Sequence, residues 1–223
     1  MKKIFTLIAA VAFAATASAQ VISFDTKYDK GSIPGSFTNG DLVLTVTDTD
    51  GKLAVDANTA YFGTPESYVS FDYRLKTGGK SSSKNNLTLT LPTDGTLKVY
   101  ARTGSNGATD RNIVLTQNET ELVNKILLES EATTITIEDA TSPTGKVEKN
   151  VYPVITVEAK KGDVSITYPV GSINFYAFEL VNAAGVSTIL TPKADGKTYN
   201  IAGVQVSENA KGLKIKNGKK FVK

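Results

Sequence analysis

The 223-residue chain has no cysteine, no histidine and no tryptophan, and its single methionine is Met1. Without cysteine no disulfide can staple a small domain, so the fold must rest on core burial alone. Without histidine, Ser-His-Asp hydrolysis, Cys-His catalysis and the usual zinc sites are excluded. Any chemistry would have to come from carboxylates, lysine or tyrosine. Long apolar runs are scarce as well. The one present, Ile4 to Ala15, is about a dozen residues long, short of the roughly 20 needed to cross a bilayer.

That run has a recognisable setting. Lys2 and Lys3 precede it, and Ala17-Ser18-Ala19 follows with small residues where a signal peptidase reads them. The expectation is a signal peptide over residues 1–19, a mature chain from Gln20, and no transmembrane anchor after cleavage. No cysteine follows the cut, so lipidation at cysteine is excluded. Export places the chain outside the cell or on its outer surface, or in the periplasm if the C-terminal tail is not a sorting signal.

The formal net charge of +3 falls to +1 without Lys2 and Lys3. It is unevenly spread. From Val186 onward eight lysines face only Asp195 and Glu208, while the preceding body is acidic. Nucleic-acid binding wants a basic patch on a folded face, so no nucleic-acid partner is expected.

The body alternates apolar and polar residues with a period of two, broken by Gly, Pro, Asn and Asp clusters. Leu87-Thr88-Leu89-Thr90-Leu91 and Ile135-Thr136-Ile137 are clear strands, with threonines on the outward positions. Further strands are expected near Val21–Phe24, Leu42–Thr47, Lys52–Val55, Tyr68–Leu75, Thr96–Arg102 and Asn112–Thr116. The same pattern continues near Glu121–Leu128, Thr133–Glu138, Val151–Lys160, Asp163–Tyr168 and Asn174–Val181. Asp50-Gly51, Asp94-Gly95 and Gly162-Asp163 read as hairpin turns. Glu119–Glu131 also carries a partial helical period, but its flanks favour a strand. The fold class is all-β: an antiparallel β-sandwich, jelly-roll-like, over residues 20–185. A linker at 186–192 and a small C-terminal β-hairpin module at 193–223 follow, the latter marginal on its own. Asp48-Thr49-Asp50-Gly51 resembles the start of a calcium loop. Lys52 and Thr59 stand where further ligands are needed, so it reads as a turn. No metal and no cofactor are expected.

In the tail, Tyr199-Asn200-Ile201-Ala202-Gly203 is followed by Lys211-Gly212-Leu213 and by Asn217-Gly218-Lys219-Lys220. This pattern resembles the C-terminal sorting domains of exported Bacteroidetes proteins that use type IX secretion. It departs from them in Lys214, where an apolar residue is usual, and in length. The resemblance implies the secretion machinery as a partner of Tyr199, Asn200, Gly203, Lys211, Gly212, Asn217, Gly218, Lys219 and Lys220.

In the body, Arg74-Leu75-Lys76-Thr77-Gly78-Gly79, Leu97 to Ser105, Asp110-Arg111-Asn112, Val151 to Val157 and Phe175 to Leu180 look like the β-sandwich domain attached to bacterial pectate lyases. That resemblance implies a carbohydrate-binding-like sandwich. The lyase activity itself does not carry over, because no parallel β-helix repeat is visible.

Alternation along Thr96–Arg102 turns Leu97, Val99 and Ala101 to one face and Lys98, Tyr100 and Arg102 to the other. If that second face is open, it offers a Lys-Tyr-Arg row suited to an acidic polysaccharide, with Arg111 joining across a loop. The alternative is that Tyr100 packs beneath a loop and Arg102 pairs with Asp110 or Asp72. Tyr61-Phe62 reads as a core plug in a loop rather than a stacking platform, and Tyr176 and Phe178 as core residues on one face with Leu180. No catalytic residue stands out. The reading is a non-catalytic module binding a glycan, pectin-like in the acidic case. A protein-binding adhesin-like envelope domain and a lyase-associated protein with weak or no activity are the alternatives.

Overall fold

The computed structural model describes residues 19–138, 141–182, 198–200, 205–207, 213–216 and 219–222. In chain order the first strands are β1 (Ala19–Ser23), β2 (Ser36–Asn39), β3 (Leu42–Asp48), β4 (Ala54–Thr64), β5 (Ser67–Lys76), β6 (Asn85–Leu91) and β7 (Gly95–Thr103). They are followed by β8 (Asn112–Gln117), β9 (Thr120–Ile126), β10 (Thr133–Glu138), β11 (Lys146–Tyr152), β12 (Ile155–Ala159), β13 (Gly162–Thr167) and β14 (Ile173–Asn182). The all-β expectation holds. Among the described residues a single 3₁₀ turn, Glu129–Glu131, interrupts them. Among the described residues no helix is long and apolar enough to cross a membrane.

Two sheets form the sandwich. One runs β10-β11-β4-β5-β14-β7-β12, with β1 also beside β14; the other runs β2-β3-β6-β13-β8-β9. Every pair is antiparallel except β11 with β4. The period-two pattern fixes which side chains meet between the sheets. Leu42 and Leu44, Leu87, Leu89 and Leu91, Leu97 and Val99, Val164 and Ile166 are all buried there. Removing such surface from water is the main stabilising term.

The turns divide differently from the expectation. Asp50-Gly51, Asp94-Gly95 and the break before Asp163 are corners where the chain crosses from one sheet to the other. The third break lies at Lys160-Lys161, since Gly162 already belongs to β13. Asp94 ties two of these corners together, accepting from Lys161 N at 2.8 Å and Lys160 Nζ at 3.0 Å. In the Asp48 turn, the carboxylate accepts from Lys52 N at 2.7 Å and Leu53 N at 3.2 Å. Among the described residues of the sandwich, the two-residue hairpin loops are Gly40-Asp41, Pro65-Glu66 and Asn118-Glu119. Asn118 and Glu119 both have positive φ, 48° and 63°, which suits the right-handed twist of the flanking strands. The helix alternative for 119–131 is thereby replaced by β9.

The β4–β5 hairpin extends well beyond expectation, since Asp56 to Thr64 continues the strand through the supposed loop. β5 pairs with β14 only at Lys76 and Leu75. There Tyr176 forms a bulge in β14, and from Ala177 on β1 takes β5's place alongside. A second bulge at Ala57/Ala60 bends β4. The distal half of the hairpin therefore leaves the plane of its sheet.

Side-chain distances show where it goes. β4 is three ladder steps from β7, about 14 Å in a flat sheet, yet the Phe62 and Tyr100 rings lie 5.8 Å apart. β11 is four steps from β7, about 19 Å if flat, yet the Arg102 guanidinium sits 4.6 Å from the Tyr152 ring centre. The sheet rolls upon itself. Only Pro153 and Val154 separate β11 from β12, which pairs with β7 at the sheet's far rim. Inside the roll a second core forms from Ala60, Phe62, Tyr100, Tyr152, Tyr176 and Ala177.

The chain divides into two compact units, one of them Ala17–Ala183. The other holds a small sheet of β15 (Thr198–Asn200), β16 (Gln205–Val206), β17 (Leu213–Lys216) and β18 (Lys219–Val222), in the order β16-β15-β17-β18. The C-terminal element is thus a four-stranded sheet, larger than a single hairpin. Within it Tyr199 lies opposite Ile215, Asn200 opposite Lys214 and Lys216 opposite Lys219, while Lys220 faces Ile215 across the β17–β18 ladder. The segment expected as a signal peptide up to Ser18, the expected linker 186–192, and Gly203, Lys211, Gly212, Asn217 and Gly218 lie outside the described residues.

Candidate functional site

Alternation places Lys98, Tyr100 and Arg102 on one face of β7, with Leu97, Val99 and Ala101 buried on the other, as expected. That face is not open to solvent. Tyr100 is only 5% exposed, with Phe71 at 5.0 Å between ring centres and Phe62 at 5.8 Å. The reason is the rolled hairpin, which covers the middle of the row. Tyr100 is therefore a core residue. Burial pushes its phenol well above the ordinary range, and the hydrogen bond it donates to Glu179 adds to the shift.

The two cations flanking it are each paired. Lys98 Nζ donates to Glu179 at 3.2 Å. Arg102 Nη2 donates to both oxygens of Glu129, at 3.1 and 3.2 Å, instead of to Asp110 or Asp72. Tyr152 donates to the same carboxylate at 2.7 Å. Burial, then the Glu129 hydrogen bond, push the Tyr152 phenol up to about 12. Arg111 does not join the row. It precedes β8 in the other sheet, bonds Asp110 at 2.5 Å and packs on Gly171, where a Cβ would meet its Nε at 2.4 Å.

Phe62 is a core plug, as expected, although it lies on a strand. Tyr61 beside it points the other way and remains partly exposed. Tyr176 is buried, but the bulge turns it into the second core, on the face opposite Phe178 and Leu180. Its hydroxyl donates to Asn58 at 2.5 Å.

Two openings flank the second core. At the Arg102 end is an open groove of about 680 Å³. Arg102, Glu129 and Tyr152 form its back. Tyr61 and Thr59 come from β4, Thr134 from β10, and Glu148, Lys149 and Asn150 from β11, with Asn106 and Gly107 from the loop after β7. At the Lys98 end is a cleft of about 480 Å³ beneath the tip of the β4–β5 hairpin. Only Lys98, Tyr100 and Arg102 of the expected site residues line these openings.

Sequence reasoning did not find Glu129, Glu148 or Asn150. Glu148 and Asn150 come with β11, which pairs in parallel with β4, and Glu129 comes on the turn between β9 and β10; no local pattern announces either. Chemically, the Arg102 groove offers amides, hydroxyls, carboxylates and an ammonium around one partly exposed phenol ring. Its charges balance: Arg102 and Lys149 stand with Glu129 and Glu148.

No family model matches the chain, and no curated protein matches it. Among solved structures it is similar to a Ruminococcus flavefaciens chain described under "The complexity of the Ruminococcus flavefaciens cellulosome reflects an expansion in glycan recognition". The identity is 12%, the TM-score 0.35, and the match covers 75% of this chain and 97% of that one. A second similar structure is the catalytic unit of a thermostable GH87 alpha-1,3-glucanase from Streptomyces thermodiastaticus, at 11% identity and TM-score 0.34, covering 62% of this chain and 26% of that chain. A GH87 alpha-1,3-glucanase catalytic domain in complex with tetrasaccharides is a third, at 10% identity and TM-score 0.31, with 62% and 28% covered. This chain spans about a quarter of each glucanase chain. TM-scores this low do not establish a common fold.

Proposed function

We propose that the Ala17–Ala183 unit is a non-catalytic module that binds an uncharged glycan in the Arg102 groove. The observation that carries this is the groove's lining. A sugar hydroxyl both donates and accepts, and it meets here amides and hydroxyls that can answer either way and carboxylates that accept. The Tyr61 ring offers an amphipathic face for the C–H side of a sugar. An acidic, pectin-like ligand is less well served. It needs cations free of carboxylates, whereas Arg102 at the back of the groove is paired with Glu129 and Lys149 stands on the same strand as Glu148. A uronate would have to displace a carboxylate from a half-buried guanidinium, leaving a charge without its partner.

The test is binding of the folded protein to neutral β-glucan and xylan and, in parallel, to polygalacturonate at low and raised salt. Neutral polymers are expected to bind in the micromolar-to-millimolar range with little salt dependence. Tyr61→Ala or Asn150→Ala should weaken that binding about tenfold, ~1.4 kcal/mol. Binding to polygalacturonate alone, falling with salt, would restore the acidic reading. Retention of none of these polymers would remove the glycan reading altogether.

The chain is further read as exported, with residues 193–223 as the address. Supporting this are the apolar run behind Lys2-Lys3, the small residues ending at Ala19, and the Lys- and Asn-rich tail. With cleavage behind Ala19, the mature chain would begin inside β1. Deleting 193–223 should then leave the protein in the periplasm of a type IX-competent host, while the full chain reaches the medium or cell surface. Equal surface delivery of both forms would refute the address.

A further inference from the structure

We infer that the cleft at the Lys98 end is a second subsite, which takes the distal rings of the same glycan chain. This rests on the reading of the Arg102 groove given above. Tyr61 and Tyr68 lie on the outward face of the β4–β5 hairpin in diagonal register, since Tyr61 pairs with Ser70 and Tyr68 with Gly63. Their rings meet edge to face with centres 5.8 Å apart. Tyr61 lines the groove, and Tyr68 lines the cleft. A pair of touching phenol rings thus runs from the lining of one opening to that of the other. At the back the neighbours Tyr152 and Pro153 do the same, Tyr152 belonging to the groove and Pro153 to the cleft.

The cleft is also built for a polar ring with an apolar face. Tyr68 is 40% exposed and Val69 46%, and among the described residues only Ile126 and Val170 are comparably exposed large apolar side chains. Val154 adds apolar wall, and the Tyr100 ring lies beneath. Lys98 spends one ammonium donor on Glu179 and keeps two for sugar hydroxyls. A ligand long enough to reach both openings gains the second contact intramolecularly, so its affinity rises without any change in the first.

Cellobiose and cellohexaose, with xylo- and laminari-oligosaccharides of the same two lengths, are the probes, read by calorimetry. In the wild-type protein the hexasaccharide of at least one series should bind about tenfold tighter than its disaccharide. Tyr68→Ala should bring the two lengths to equal affinity, while Tyr68→Phe should keep the length gain. Tyr61→Ala should weaken both lengths. Tyr68 is exposed, so its variants are expected to stay folded, with circular dichroism as the control. Equal affinity for the two lengths, or a length gain that survives Tyr68→Ala, would overturn the second subsite and leave the groove standing. Failure of every oligosaccharide to bind the wild type would bring down both.

Discussion

At the scale of single residues, direction along a strand and burial are separate questions. Alternation along β7 gave Tyr100 its correct side, because backbone pleat alone decides that. What covers that side is set by Phe62 and Phe71, which are distant in sequence, and no local pattern reports it. Glu119 shows the converse. Its sequence context is ambiguous between helix and strand, yet its φ of 63° in the two-residue β8–β9 loop is a conformation that costs a residue with a Cβ roughly 1 kcal/mol or more. Glu119→Gly should therefore stabilise the fold by about 0.5–1 kcal/mol once the extra entropy of glycine in the unfolded chain is set against the relief. A shift of the denaturation midpoint to higher urea would show this. A lower midpoint would mean that the Glu119 side chain makes a contribution larger than the strain.

At the scale of elements, the strands with clean alternation were legible almost to the residue, as β6, β8 and β10 show. β4 was not. Its sequence, Ala54 to Thr64, mixes small and polar residues with a bulge, so the period-two signal lapses where the strand leaves its sheet. The continuous run Val151–Lys160 was legible as β structure, but not as parts of two separate strands, β11 and β12, broken at Pro153. The hairpin's role makes a sharp prediction. Phe62 touches Phe71, Tyr100, Tyr152 and Tyr176 at once, so Phe62→Ala should cost about 3–5 kcal/mol, the range for a buried aromatic removed from a core. Chemical denaturation measures it. A cost under about 1 kcal/mol would mean that the distal hairpin is not packed on β7. At the hairpin tip Gly63 has a φ of 132° and its backbone runs against Ser67, whose carbonyl oxygen would lie 2.3 Å from an added Cβ. The candidate site suffers the same limit as β4: its walls are elements brought together by the roll.

At the scale of the whole molecule, the Ala17–Ala183 unit holds two cores back to back, sharing β7 and β14. Val99 and Phe178 face one core, and Tyr100 and Ala177 face the other. Four phenols are spread across them. Burial raises the pKa of Tyr100, Tyr152, Tyr168 and Tyr176, with Tyr152 pushed up to about 12 from an ordinary 10.0. A raised folded pKa means that the native state holds its protons longer than the unfolded chain. The associated stability is then whole below pH 10 and is lost as pH climbs toward 12 and beyond. The last part of the tyrosinate absorbance should appear together with loss of the far-ultraviolet β signal. Complete ionisation with that signal intact would show the phenols to be reachable by solvent in the native fold.

Pro153 and Val154 give this architecture a further property. They carry the chain directly from β11 to β12 across the seam that the Arg102–Tyr152 contact and the second core also close, in a protein that has no sulfur bridge to draw on. A single peptide-bond scission between them would remove no buried side chain, yet it would leave the seam to packing and hydrogen bonds alone. The backbone at that point acts as a covalent clasp.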